Sequence, residues 1–106
     1  LNVLISGAKL TTVDISDGGA QDHCPAAEFP LIESLLHGKV EMVIELPIGR
    51  EVTTDAKVAY VRNESADVFI GFGFEDFRYQ DQRGWLAFIA SQEKALIPSQ
   101  TLSSIR

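Results

Sequence analysis

A carboxylate, a hydroxyl and two glycines lie close together near the start of the chain. Asp14 and Ser16 are separated by one residue, and Gly18 and Gly19 follow them. An ionised carboxylate accepts hydrogen bonds, and a hydroxyl both donates and accepts them. Glycines lack a Cβ atom, so a flat ligand or another backbone can approach them closely. This group can bind a ligand with polar edges, but the same residue types also form ordinary turns after a strand.

The neighbouring residues predict how this group is oriented. Side chains alternate between the two faces of a β-strand, so Asp14 and Ser16 share one face while Val13 and Ile15 share the other. The apolar pair is expected in the core. We therefore predict that Asp14 and Ser16 are exposed and that Val13 and Ile15 are buried.

Alternation of apolar and polar residues predicts strands on both sides of the motif. Turn residues separate the later strands at positions 47–49 and 63–67. Gly71 and Gly73 lie inside the last strand, where glycine indicates a bend, a bulge or a close backbone approach. The predicted strands cover residues 1–5, 9–16, 39–46, 50–62 and 68–74.

The segment 21–38 has the weakest pattern. Its apolar residues Leu31, Ile32, Leu35 and Leu36 have the spacing of one or two helical turns, opened by Pro30. The segment is either a lid over one end of a barrel or a surface for a partner. We favour the lid, because the leucines need to be covered from water.

A helix is predicted over residues 79–95. Trp85, Phe88 and Ile89 fall on one stripe of this helix, which we expect to pack against the strands. Pro98 is expected to end the helix. We therefore predict one domain over residues 1–97, followed by a linker or frayed end over residues 98–106.

Composition excludes several classes of function. The chain has 106 residues, enough for one domain, and a net charge of −6, which argues against binding to DNA or RNA. The stretch before Asp14 lacks the charged start and apolar core of a signal peptide, and no apolar run approaches the roughly 20 residues of a membrane span, so no membrane contact is expected. One cysteine fits a reducing compartment, and we expect a cytoplasmic location. Because the first residue is not methionine, these residues are expected to be part of a longer product.

Catalysis is not expected from this sequence. His23 and Cys24 are adjacent and His37 is the other imidazole, whereas a metal site needs three or four ligands and a thiol nucleophile needs an oriented base. The carboxylates are spread over turns and exposed strand faces. We expect no catalytic residues, no metal and no cofactor.

Asp14, Ser16 and Gly19 fit the pattern Asp/Asn-x-Ser-x-x-Gly, which is one of the two motifs of the PilZ domain family. The order of elements after the motif also resembles that family, with strands, the glycine-rich strand at 69–74 and an amphipathic helix around 85–89. The resemblance extends over residues 1–89.

This resemblance implies a fold and a ligand. The fold is a mainly β, six-stranded antiparallel barrel with a C-terminal α-helix. The function is binding of cyclic di-GMP through Asp14, Ser16, Gly18 and Gly19, in a sensor domain of a larger bacterial signalling protein with attached or partner effector domains. Aspartate suits guanine, whose Watson–Crick edge carries donors, and it repels the ring-nitrogen acceptor of adenine.

One part of the family pattern is missing. The other motif, Arg-x-x-x-Arg, binds phosphate and the other guanine edges, and it orders on the ligand. Here no two arginines stand four apart, and Arg50, Arg62, Arg78 and Arg83 are scattered downstream of the Asp14 motif. Either the pair lies upstream of Leu1, or this is a degenerate domain that docks a partner protein. A third alternative is a small barrel with no specific ligand. The 106 residues alone are expected to bind cyclic di-GMP weakly or not at all.

Overall fold

The computed structural model describes residues 1–47 and 49–104, with side chains described up to residue 92. This part of the chain contains six strands, a short 3₁₀ helix and two α-helices. Their bounds are β1 (Asn2–Ile5), β2 (Ala8–Ser16), β3 (Gly19–Pro25), the 3₁₀ helix (Ala26–Glu28), α1 (Phe29–Glu33), β4 (Val40–Glu45), β5 (Glu51–Glu64), β6 (Asp67–Phe77) and α2 (Asp81–Ser104).

The six strands close into one antiparallel barrel in the order β1-β2-β3-β6-β5-β4. Strand β1 pairs with both β2 and β4, which completes the circle. Closure satisfies the backbone groups that an open sheet would leave unpaired at its two edges. The expected class, a mainly β six-stranded antiparallel barrel with a C-terminal α-helix, is confirmed.

The barrel interior is filled by alternate residues of the strands, as the hydrophobic pattern predicts. In β4, Val40, Met42 and Ile44 are buried while Glu41 is exposed. Each strand contributes such residues because its side chains alternate between the core and solvent. The buried apolar core consists of Val3, Ile5, Leu10, Cys24, Ile32, Val40, Met42, Ile44, Leu46, Val52, Ala56, Val68, Ile70, Phe72 and Trp85.

Strand β3 is absent from the predicted strands, and it includes the start of the weakly patterned segment 21–38. Its residues alternate, with Asp22 and Cys24 buried and Gln21 and His23 only partly so. The pattern was not recognised because an aspartate occupies an inward position. Thr12 donates a hydrogen bond of 2.9 Å to Oδ1 of Asp22, while Oδ2 is buried with no hydrogen-bond partner among the described residues.

The segment after β3 covers part of the core. Ile32 of α1 is buried, and Leu35 and Leu36 pack against the core, so the prediction that these side chains are covered is confirmed. Leu31 is an exception, because it projects into solvent and is 67% exposed. A five-residue helix can turn only part of its surface toward the core.

Helix α2 is held to the barrel by aromatic packing. Trp85 is fully buried, and Phe88 and Ile89 pack against the core as predicted. The Trp85 ring makes an edge contact with Phe74, with 5.3 Å between ring centroids. Its indole N–H donates a hydrogen bond of 3.1 Å to the backbone oxygen of Ser16.

The ends of α2 differ from the prediction. The helix begins at Asp81, two residues later than expected, and it continues to Ser104, so the prediction that Pro98 ends it is wrong. A proline removes one backbone hydrogen bond and strains a helix without always ending it. A domain boundary after residue 97 stays a prediction. Within the described residues, no helix combines the length and apolarity needed to cross a membrane.

The buried Asp22 predicts a dependence of stability on pH. Burial raises its pKa from 3.8 to about 6, although the Thr12 hydrogen bond opposes the shift. The folded protein thus holds the proton at pH values where the unfolded chain releases it, so the stability present below pH 3.8 is lost as the pH rises to about 6. The loss should be about 3 kcal/mol, since each pKa unit is worth about 1.4 kcal/mol.

Chemical unfolding of wild type and of Asp22→Asn between pH 4 and pH 7 measures this effect. The variant should not lose stability over this interval, and it should be the more stable protein at pH 7. Asp17→Asn, at an exposed aspartate, is the control and should behave as wild type. If the free energy of unfolding changes with pH in the same way for wild type and Asp22→Asn, the prediction is wrong.

Candidate functional site

A β-bulge near the end of β2 determines which side chains of the motif face solvent. The pairing of β2 with β3 shifts between Thr12 and Asp14, so Val13 is the extra residue. Val13 is 50% exposed and therefore not buried as predicted, because the bulge turns Val13 and Asp14 outward together. The remaining predictions hold in part: Asp14 and Ser16 are exposed, and Ile15 is half-buried against the core.

The two polar side chains of the motif are held by short-range hydrogen bonds. Oδ1 of Asp14 accepts the backbone N–H of Ile15 at 3.0 Å. The Ser16 hydroxyl lies 3.4 Å from the backbone oxygen of Gly19, to which it donates. The second oxygen of Asp14 accepts no hydrogen bond from a described residue. It is therefore available as an acceptor on the outer surface.

The two glycines of the motif have different surroundings. A Cβ atom on Gly19 would lie 2.4 Å from the backbone oxygen of Phe72, whereas one on Gly18 would meet nothing within 4 Å. Gly18 accepts a hydrogen bond of 2.9 Å from the backbone N–H of Phe74 through its own carbonyl oxygen. Gly19 is thus required for the close pairing of β3 with β6, while Gly18 leaves open space beside the motif.

Asp14 and Ser16 line a shallow cavity of about 210 Å³ on the outer face of the barrel. Pairing across four strands aligns Asp14 with Gln21, Gln21 with Gly71, and Gly71 with Tyr60. The cavity therefore has a polar wall on β2, a floor of backbone and glycine on β3 and β6, and an aromatic wall on β5.

Tyr60 forms the aromatic wall of this cavity, and the sequence alone does not point to it. The pairing of β5 with β6 shifts between Val58 and Tyr60, which is a second bulge. The Tyr60 ring covers Gly71, since a Cβ atom there would lie 2.1 Å from Cε2 of the ring, and Tyr60 is 46% exposed. An aromatic residue beside a strand glycine is a recognisable pattern, but the bulge obscures the register from which it would be deduced.

Asp14 also borders two cavities on its other side. One of about 490 Å³ lies between the end of β2 and α2 and is lined by Asp14, Ser16, Leu86 and Ile89, among others. The other, of about 330 Å³, includes Leu1. The end of β2 is therefore accessible from both the strand side and the helix side.

The arginines of the described region are distributed around the barrel. Arg78 donates to Glu41 at 2.9 Å and to Asp55 at 2.8 Å. Its hydrogen bond lowers the pKa of Asp55 below the ordinary value. Arg50 lies 4.0 Å from Asp81 at the start of α2. Neither guanidinium lines the cavity that contains Asp14 and Tyr60.

The residues considered for catalysis lie apart from this cavity. Cys24 is buried, and desolvation, with smaller contributions from the carboxylates of Glu28 and Asp67, raises the pKa of its thiol, which disfavours the reactive thiolate. Nε2 of His23 lies 2.7 Å from the Asp67 carboxylate. Within residues 1–47 and 49–92, whose side chains are described, no three His, Cys, Asp or Glu side chains are grouped as metal ligands.

Comparison with known proteins supports the fold. No protein-family model matches the chain, and no curated protein matches it. Among solved structures, it is similar to the Bacillus subtilis inhibitor of motility MotI/DgrA, with a TM-score of 0.70 and 20% sequence identity. The match covers 90% of this chain and 47% of that protein, so the chain spans about half of its length. The fold is PilZ-like.

The contrast between the two motif glycines predicts different effects of the same substitution. Gly19→Ala should destabilise the protein by about 1–3 kcal/mol, the usual cost of overpacking, because its methyl group would meet a backbone oxygen. Gly18→Ala is the matched control and should change the free energy of unfolding by less than about 1 kcal/mol. Urea unfolding measures both, and equal effects would contradict the described pairing of β3 with β6.

Proposed function

We propose that this chain is a cyclic di-GMP-binding sensor domain of a larger bacterial protein, acting in the cytoplasm and without catalysis. The observation that carries the proposal is the exposed, partly unpaired carboxylate of Asp14, which lines a glycine-floored cavity together with Ser16. The PilZ-like fold supports the proposal, because Asp14, Ser16 and Gly19 fit the ligand-binding motif of that family.

The chemistry of the cavity suits a guanine edge. The second oxygen of Asp14 accepts from guanine donors, and this charge-assisted bond is stronger than a neutral one. Ser16 donates only a long bond of 3.4 Å to Gly19, so its hydroxyl can be recruited by a ligand at little cost. An adenine would place an acceptor against the carboxylate and would be disfavoured.

The size of the cavity limits what enters it. At about 210 Å³ it is smaller than sites for drug-sized ligands, which typically occupy about 300–1,000 Å³. It can therefore accept one base and not a whole cyclic dinucleotide. The rest of the ligand would extend over the neighbouring surface, where the cavity of about 490 Å³ shares Asp14, Ile15 and Ser16.

Phosphate binding requires positive charge that the motif itself lacks. Asp14, Ser16 and the two glycines neutralise no phosphate, and the net charge of −6 is unfavourable for an anion. Leu1 lines a cavity together with Asp14, so an arginine-bearing segment joined to Leu1 would leave the barrel beside the motif. Ordering of such a segment on the ligand would reorient any domain attached to it.

A docking module is the second candidate, and one observation favours it. Val13 is 50% exposed, and Leu86 of α2 is also exposed beside the cavity between β2 and α2. Apolar side chains next to a groove are common in protein interfaces. In this alternative, Val13→Ser would abolish partner binding while cyclic di-GMP would not bind at all.

Asp14→Ala should weaken binding of cyclic di-GMP by the full-length protein by about ten- to a hundredfold. The expected loss is that of a hydrogen bond to a charged group, roughly 1.5–3 kcal/mol. Isothermal titration calorimetry measures it. Cyclic di-AMP should bind wild type more weakly than cyclic di-GMP does, and Asp14→Ala should reduce that preference.

The matched control is Glu33→Ala, which removes an exposed carboxylate from α1 and changes the net charge equally. It should leave the affinity within about twofold of wild type, since a distant surface charge is largely screened. Equal affinities of wild type and Asp14→Ala would exclude the proposed role of Asp14. Absence of binding by the full-length wild type would favour the docking module.

A further inference from the structure

Two side chains on the outer face of β5 lie across the barrel surface from the motif. Tyr60 and Arg62 are two residues apart on this strand, so they project from the same face, about 7 Å apart along it. Tyr60 is in the same cross-strand row as Asp14. Arg62 is in the next row, where it aligns with Phe69 and His23.

Tyr60 is positioned to contact a flat ring in the cavity. Asp14 and Tyr60 are three strand spacings apart, about 14 Å between backbones, yet both line the same cavity. One side of the tyrosine ring covers Gly71, and much of the remainder is exposed. A planar base held by Asp14 at one edge would therefore meet an aromatic side chain on the opposite wall.

Arg62 lies on the same outer face as Tyr60, beside the cavity and not in its lining. Its guanidinium lies over the Phe69 ring, 4.9 Å from the ring centre, and its Nε atom pairs with the carboxylate of Glu64. No hydrogen bond joins its two terminal nitrogens to a described residue. The stacking and the ion pair restrict the guanidinium, while the terminal N–H groups remain available for an anion.

We propose that Tyr60 and Arg62 form a second wall of the nucleotide site, with Tyr60 stacking on the base bound by Asp14 and Arg62 binding a phosphate of the same ligand. The proposal rests on the proposed function and names the residues that complete it. Stacking on an aromatic ring tolerates every base, whereas the carboxylate selects guanine. Guanidinium groups form bidentate, charge-assisted bonds with phosphate.

The first test replaces Tyr60 in the full-length protein and measures affinity by calorimetry. Tyr60→Leu keeps an apolar side chain over Gly71 but removes the ring, and it should weaken binding by about five- to a hundredfold, the range for losing one stacked base. Tyr60→Phe keeps the ring and should bind within about twofold of wild type. Tyr79→Leu is the control, because Tyr79 is fully exposed outside the cavity.

The choice of ligand separates stacking from selectivity. Tyr60→Leu should weaken the binding of cyclic di-GMP and of cyclic di-AMP by similar factors, because stacking does not distinguish between purines. Asp14→Ala should weaken mainly the binding of cyclic di-GMP. A Tyr60→Leu variant that loses affinity only for cyclic di-GMP would overturn the stacking role.

The second test uses Arg62→Gln, a surface change that keeps the fold even if a Tyr60 variant does not. Its affinity for cyclic di-GMP should fall by about ten- to a hundredfold, and the affinity should depend less on salt than that of wild type. Arg83→Gln removes the same charge from the exposed surface of α2 and should leave both quantities unchanged.

The outcomes distinguish the two proposals. Suppose that wild type binds cyclic di-GMP and that Asp14→Ala weakens this binding. If Tyr60→Leu and Arg62→Gln then bind with the affinity of wild type, the second wall is wrong and the proposed function stands. If wild type does not bind, both are wrong. Lower affinity in both Tyr60→Leu and Arg62→Gln, together with wild-type affinity in Tyr60→Phe, supports the second wall.

Discussion

The hydrogen bond between the buried Trp85 side chain and the backbone of Ser16 joins the candidate site to the C-terminal helix. The indole N–H of a buried tryptophan needs an acceptor, and here the acceptor is the backbone oxygen of the last residue of β2. Helix α2 contains Gly84, which disfavours helix formation, so its position depends on the packing of Trp85 against Phe74 and Phe77. A ligand that moves Ser16 would therefore change a contact that holds α2. This hydrogen bond links the end of β2 to α2.

The hydrophobic pattern predicted most of the barrel because most inward positions are apolar. Strand β3 was missed for the opposite reason, since Asp22 occupies an inward position and breaks the alternation. A buried carboxyl is tolerated there because Thr12 donates to it and because its raised pKa favours the neutral form. The length of α2 also differs from the prediction, because Pro98 removes one backbone hydrogen bond without ending the helix.

The candidate site was predicted in part. Asp14 and Ser16 are exposed as expected. Their exposure could be predicted because the alternation of a strand and the short motif both depend on residues that are neighbours in the sequence. The bulge at Val13 turns this side chain outward, contrary to the prediction. The bulge before Tyr60 shifts the register of β5, so the sequence does not show that Tyr60 lies beside Gly71. A bulge shifts the alternation by one residue without a clear mark in the sequence. The cavity that Asp14 of β2 shares with Tyr60 of β5 is therefore visible only in the folded barrel, where residues 46 positions apart line it together.

Nuclear magnetic resonance of the full-length protein, labelled at glycine and tryptophan and titrated with cyclic di-GMP, tests whether the outer face formed by β2, β3, β6 and β5 binds the nucleotide. If the ligand binds at this face, the signals of Gly18, Gly19 and Gly71 and the indole signal of Trp85 shift on titration, while those of Gly38 and Gly49 do not. Shifts confined to Gly38 and Gly49, or no shifts at all, would show that the nucleotide does not bind there.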